Sequence, residues 1–298
     1  MVVNMKYQQE FTDYLTNTKR MAKTSQGAYI SDAVEFVKFI EHRGQTVEEV
    51  VNKDVNDFLN DLKDLCKSGA TVNRKLASVR CFYNCLQELG KVSSNPTTGL
   101  KSPRIERQEI EFLSYEEVVQ LLEAPGDDQK GLRDRALLEL MYATGVRSGE
   151  VIGIKVSDLN LRIGFISCLQ DNGKTRMIPV GRPAREALKK YLDEVRPAMA
   201  ELAAEDKNTL FVNYLGEPLT RQGVWKIIKH YGEKVGLGDK ISPQILRNSF
   251  AAHMVQNGAD LKSLQELMGY EDIMATKIFM SLTKNRIIDV YDRTHPRA

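Results

Sequence analysis

The sequence predicts a mostly α-helical protein of two domains, the second carrying a small antiparallel sheet, and three observations predict it. Apolar residues recur at spacings of three and four through residues 6–89; the periodicity lapses between Gly90 and Glu111; and Asp171-Asn172-Gly173, a strong hairpin turn, stands between two strand-like runs. The limits that follow are 1–90 for a helical bundle, 91–111 for a linker and 112–298 for the second domain. At 298 residues and 42% hydrophobic content the chain can furnish a core for each.

In the first domain, Phe11, Tyr14 and Leu15 mark one helix, and Tyr29, Ala33, Phe36, Val37 and Ile40 mark a second that ends near Gly44. Thr46-Val47-Glu48-Glu49 has the form of a capping box, ahead of a helix lined by Val55, Phe58, Leu59, Leu62 and Leu65. Val72, Leu76, Val79, Tyr83 and Leu86 form the stripe of a fourth, whose opposite face carries Arg74, Lys75 and Arg80. Such a basic face is either solvated or laid along phosphates.

The linker holds Pro96, Gly99 and Pro103 with Lys101, Arg104 and Arg107, a composition for extended chain with local positive charge. It fits a strap across a nucleic-acid groove and equally a solvated hinge. The formal net charge of +2 does not decide between them. Residues 1–107 hold 16 Lys+Arg against 13 Asp+Glu, leaving 26 against 27 for the rest, so any binding charge must be sorted onto faces.

The second domain opens on Ser114-Tyr115-Glu116-Glu117, a capping box before Val118, Val119, Leu121 and Leu122. Asp134 to Tyr142 reads as a buried helix stopped by Gly145, with Arg147 at the start of the next turn, where a guanidinium beside exposed amides makes an anion site. An ion pair from Arg147 to Glu150, three residues on, is the plainer alternative. Phe165 to Gln170 and Lys174 to Val180 are the strands of the hairpin; Ala184 to Leu192 is a helix, Leu210-Phe211-Val212 a short strand, and Val224, Ile227, Ile228 and Tyr231 a further helix. Trp225 on that helix is either a base-stacking platform or, as is commoner, packing.

Ser242 to Ser281 reads helix, stop, helix, stop, helix, with Asn257-Gly258 and Gly269 as the stops and Pro243 at a favoured first helical position. Arg247 in the first of these helices offers a planar fork to a phosphate.

Leu246-Arg247-Asn248-Ser249-Phe250-Ala251-Ala252-His253, Asn257-Gly258-Ala259-Asp260-Leu261, Gln265-Glu266-Leu267-Met268-Gly269 and the terminal His295-Pro296-Arg297-Ala298, with Thr144-Gly145-Val146-Arg147-Ser148-Gly149-Glu150 upstream, resemble the tyrosine recombinases of the phage integrase family, closest to the Xer type. The resemblance covers nearly the whole chain. It implies a SAM-like N-terminal DNA-binding bundle, an α+β recombinase-type domain, double-stranded DNA as partner, and strand cleavage through a phosphotyrosine.

By the same resemblance Arg147 and Arg247 are the phosphate clamps, and the other chemical positions are degenerate. Gln244 stands where the pattern has His, Tyr270 where it has His or Trp, Asp171 where it has the leaving-group lysine, and Phe279 where it has the nucleophile. Lys174, the pattern's second lysine, is a further candidate for that proton. A phenyl ring has no hydroxyl to attack phosphorus. Substitution to trap a complex accounts for Phe279 by itself, but not for Asp171, Gln244 and Tyr270 together.

Two classes are therefore expected: a DNA-binding member without turnover, or an active recombinase with a displaced nucleophile such as Tyr270 or Tyr291. In the family the last helix docks into a neighbouring subunit on DNA, and the apolar tail Ile287, Ile288, Val290 and Tyr291 fits self-assembly, or assembly with an active relative, as well as docking at home. Cys66, Cys81, Cys85, Cys168 and four dispersed His have no close metal-ligand spacing, so neither metal nor cofactor is expected. No leader pattern opens the chain and no run of about 18 apolar residues occurs, which points to the cytoplasm with reduced thiols.

Overall fold

The helical stripes of the first ninety residues close on one apolar core. The computed structural model describes residues 6–102, 110–170, 173–201, 208–276 and 278–279, and the chain divides into two units, 1–108 and 109–298. In the first, α1 (Gln8–Asp13) runs through a π-turn, Tyr14–Thr18, to α2 (Lys23–His42), α3 (Asn52–Asp64) and α4 (Gly69–Glu88). Phe11, Phe36, Phe58, Phe82 and Tyr83 fill the core, with Phe36 and Phe58 edge-to-face at 5.1 Å between centroids.

Local signals set the helix ends. Gly44, at φ 73°, turns the chain away after α2, and the Ser68 hydroxyl caps α4 by accepting from the Thr71 amide at 3.2 Å. Only half of the box at Thr46 is formed, the Thr46 amide and hydroxyl both donating to the Glu49 carboxylate at 3.0 Å, and it closes a turn. Helix α3 begins at Asn52, where Asp54 accepts from the Val51 amide at 2.9 Å.

Lys75, expected on the outer basic face, is instead buried. Helix α4 turns it toward α2, where Asp32 and Glu35 supply its ion pairs. Asp32 also pairs with Arg74 and accepts from Ser78 at 2.8 Å, so a buried carboxylate and a buried ammonium satisfy one another. Arg74 keeps an exposed side chain, and Arg80 is tied down, donating to the Leu100 carbonyl at 3.0 Å.

Much of the expected linker folds back on this bundle. Val92 and Leu100 pack on its core, and the Asn52 amide donates to the Pro96 and Thr98 carbonyls at 3.1 and 3.2 Å. Lys101 is exposed; Arg104 and Arg107 lie outside the described residues.

The second unit is built around α6 (Gln129–Thr144), which follows α5 (Tyr115–Glu123) and is buried on nearly every face. The Ser114 capping box forms as the sequence predicts, with bonds of 2.8 and 3.2 Å to and from Glu117. After the short α7 (Ser148–Val151) comes an antiparallel sheet of β1 (Leu159–Asn160), β2 (Phe165–Leu169) and β3 (Thr175–Pro179) in that order. Its register pairs Ile166 with Ile178 and Cys168 with Arg176, turning these four inward and leaving Leu169 and Met177 exposed.

Helix α8 (Arg182–Lys190) continues through a π-turn, Tyr191–Val195, into α9 (Arg196–Glu201); α10 (Arg221–Lys234), α11 (Pro243–Gln256) and α12 (Leu261–Met268) complete the unit. Three expectations fail here. Leu210–Val212 is buried chain flanked by isolated bridges, Lys155 to Thr209 and Val212 to Pro218, so it is not a strand. Trp225 is 47% exposed, with the Lys229 ammonium over its ring, and does not pack in the core. The third helix expected after Gly269 is, over the described residues, a 3₁₀ turn at Ile273–Ala275.

The Asp32 cluster makes a direct prediction. Asp32→Ala leaves the Lys75 ammonium buried with only the half-exposed Glu35, so a loss of about 3–5 kcal/mol is expected in denaturant unfolding of the full chain. A change below about 1 kcal/mol would show that the cluster is solvated.

Candidate functional site

The site grows from three helix ends. Ser242 caps α11 by accepting from the Ile245 amide at 3.2 Å, and Pro243 starts the helix, which aims Gln244 outward and Arg247 inward. Arg247 is 3% exposed. One of its terminal nitrogens donates to the Gly145 carbonyl at the end of α6 and the other to the Met268 carbonyl at the end of α12, at 2.6 Å. Last-turn carbonyls lack helical partners, so the guanidinium satisfies both while bridging three helices.

Gly145 and Gly269 make that approach feasible. Both cap their helices in the left-handed region, at φ 59° and 64°. A Cβ at Gly145 would meet the Phe250 ring at 2.4 Å, and one at Gly269 would meet the Arg176 guanidinium at 2.7 Å.

Arg147 is the N-cap of α7, with a half-exposed side chain. Of the groups expected to make an anion site there, its own amide and one guanidinium nitrogen are engaged: Glu150 takes the Arg147 amide at 2.7 Å and its guanidinium at 2.9 Å. Glu150 also receives a two-pronged bond from Arg176 of β3, at 2.8 and 2.9 Å. Burial alone would raise the Glu150 carboxyl, but the Arg176 bonds and the Arg147 amide outweigh it and hold the group below its ordinary value.

An open cavity of about 340 Å³ lies over these residues, lined by Arg147, Ser148, Arg221, Gln244 and Arg247 among others. The Tyr270 ring stands beside both clamps, its centroid 5.6 Å from the Arg147 guanidinium carbon and 5.1 Å from that of Arg247. Burial pulls the Arg247 guanidinium below its ordinary value, and Tyr270 opposes that. Three guanidiniums and an amide around one opening suit an anion with several oxygens. Gln244, which donates to Asn248 at 2.8 Å, and Tyr270 bring an amide and a phenol to the site.

The other predicted residues fall elsewhere. Phe279 is fully buried in an apolar cluster with Phe250, Val255, Leu264 and Met268, a place of packing with no polar role. Lys174 is exposed on the hairpin, where its carbonyl accepts from the Gln170 amide at 2.8 Å; Asp171 and Tyr291 lie outside the described residues. Arg176 and Arg221 were not anticipated. A signal existed for the first: on β3 it shares the inward phase of Ile178 and Val180, and a charge in that phase demands a buried partner.

The chain belongs to the phage integrase family, which it matches over residues 111–286, with the family's N-terminal SAM-like domain over residues 9–89. Among its relatives, a putative tyrosine recombinase, TTE1313, of Caldanaerobacter subterraneus subsp. tengcongensis is 40% identical over 97% of this chain and 98% of its own length. Tyrosine recombinase XerD of Oceanobacillus iheyensis is 36% identical over the same shares. Among solved structures, XerH recombinase bound to a palindromic difH substrate gives a TM-score of 0.74 at 20% identity, covering 97% of this chain and 90% of that one. A lambda integrase dimer bound to a COC′ core site gives 0.71 at 18% identity, covering 92% and 94%.

Because the Glu150 carboxyl is held below its ordinary 4.5, its stabilisation is full above that value and is lost as pH falls through the lower folded value. Glu150→Gln is therefore expected to lower the thermal midpoint by several degrees at pH 7 and by progressively less toward pH 3. A deficit that stayed constant over that range would show that the carboxylate charge does not hold the site together.

Proposed function

We propose that this chain is a DNA-binding member of the tyrosine recombinases that grips backbone phosphates without completing strand transfer. The observation that carries the reading is that Phe279, which the family resemblance aligns with the nucleophile, is a phenyl ring packed with no exposure among apolar side chains. Gln244 and Tyr270 replace the groups that manage protons, while Arg147, Arg221 and Arg247 keep the cavity positively charged. Curated relatives bear the name tyrosine recombinase XerD, and the structural neighbours include recombinases on their DNA sites. The four free cysteines are consistent with action in the cytoplasm.

DNA would be held by the recombinase-type domain through the cavity, and by the bundle and strap through Arg74, Arg80, Lys101, Arg104 and Arg107. Lys75 is withdrawn from that surface by its burial. Affinity for a duplex should fall steeply with salt as phosphate contacts release counterions. Arg147→Ala is expected to weaken binding roughly tenfold, the worth of one bond to a charged group. Binding indifferent to both salt and this arginine would sink the reading.

A second reading rests on the Tyr270 ring lying beside both guanidiniums, where its hydroxyl would serve as a displaced nucleophile. A suicide DNA substrate separates the two. No covalent adduct is expected from the native chain, and an adduct mapped to Tyr270 by mass spectrometry would establish the second reading.

Phe279→Tyr alone should also stay inactive. Each missing acid-base group is worth about 10²- to 10⁴-fold, and a hydroxyl placed in this apolar cluster would have to leave it to reach a phosphate. The combined Phe279→Tyr, Asp171→Lys, Gln244→His, Tyr270→His variant is the one expected to form adduct; robust cleavage by Phe279→Tyr alone would show that the remaining groups suffice. Assembly on DNA, with itself or an active relative, is assigned to the apolar tail. Sizing the DNA complex without residues 284–298 tests this, because unchanged assembly would exclude the tail as connector.

A further inference from the structure

Arg176 touches the site without facing the cavity. Its side chain is turned inward from β3, and its three guanidinium nitrogens are all engaged: two fork onto Glu150 at 2.8 and 2.9 Å, and Nε donates to the Leu267 carbonyl at 2.9 Å. Each Glu150 oxygen then carries two donors. Oε1 accepts from Arg176 Nη1 and Arg147 Nη1, and Oε2 from Arg176 Nη2 and the Arg147 amide. A carboxylate so loaded has a fixed plane, and its charge is shared between two guanidiniums.

That sharing matters for Arg147. Were Glu150 its only partner, the pair would be a simple buried-edge ion pair that draws the Arg147 guanidinium onto the carboxylate and away from an incoming anion. With Arg176 neutralising Glu150 from inside the protein, Arg147 is held by one nitrogen and presents the rest of its fork to the cavity. The Leu267 bond extends the effect, since it pins the turn through Gly269 from which Tyr270 reaches both clamps.

We infer that Arg176 is a positioning residue: by sharing Glu150 it sets the Arg147 guanidinium toward a bound phosphate, and by holding Leu267 it fixes the turn that places Tyr270. The inference rests on the phosphate-binding reading of the cavity for its consequence, but its geometry can be tested apart from DNA.

The test is a binding cycle on the full chain with a fluorescein-labelled duplex of arbitrary sequence, using Arg176→Met, Arg147→Ala and the double variant. Arg176→Met is expected to weaken binding about tenfold in the native background and less than about twofold in the Arg147→Ala background. Equal losses in both backgrounds overturn the inference. Arg176→Lys, which keeps the charge but not the fork, is run in the same cycle should the methionine variant not fold.

Arginine guanidinium NMR without DNA supplies the second arm. The Arg147 Nη signals, restricted in the native protein, should average in Arg176→Lys; unchanged Arg147 signals again overturn the inference. If those signals do average while Arg147→Ala binds duplex as tightly as the native chain, the positioning role stands and the phosphate reading of the cavity is what fails.

Discussion

The buried guanidinium of Arg247 is the constraint around which the second unit is arranged. Helices α6 and α12 both end on glycines in the left-handed region, so their last carbonyls turn back toward α11, and Arg247 satisfies one from each. A charge at 3% exposure persists because its donors are spent on strong acceptors and its face is covered by the Tyr270 ring. The same bonds that close the fold place a cation at the floor of an open cavity. The fold therefore cannot lose the cation without losing the junction of three helices.

Around that floor the electrostatics are layered. Glu150 sits behind Arg147 and in front of Arg176, so the carboxylate of the site is neutralised from within, and the positive ends of Arg147, Arg221 and Arg247 converge on the opening. Such an arrangement favours an anion in the ground state. Gln244 adds an amide, not an imidazole, to the cavity lining.

The first unit solves a different problem. Its α4 carries Arg74 and Lys75 in succession, yet only one can point outward when α4 packs on α2. Asp32 and Glu35 on α2 make the inward ammonium tolerable and leave Arg74 at the rim. The basic face that remains is narrower than composition suggests, and the chain after Gly90 adds to the unit by packing Val92 and Leu100 on the core rather than leaving as an extended strap.

The sequence by itself determined most of the helices, several of their caps, the hairpin and the places of Arg147 and Arg247 at helix starts, because these depend on spacing, on glycine and proline punctuation and on short motifs that act within a few residues. The departures from the resembled pattern at Gln244, Tyr270 and Phe279 were equally legible as letters. Tertiary structure alone decided which charges face inward. Lys75 read as part of an outer basic face until α2 is brought against it, and the reading of Leu210–Val212 as a strand failed because pairing depends on a partner edge that local pattern cannot name. Arg221 reaches the cavity only because α10 packs beside α7, some seventy residues earlier in the chain. Burial and long-range pairing are properties of the assembled chain, and that is the physical reason the cavity's full set of guanidiniums could not be read from the order of residues.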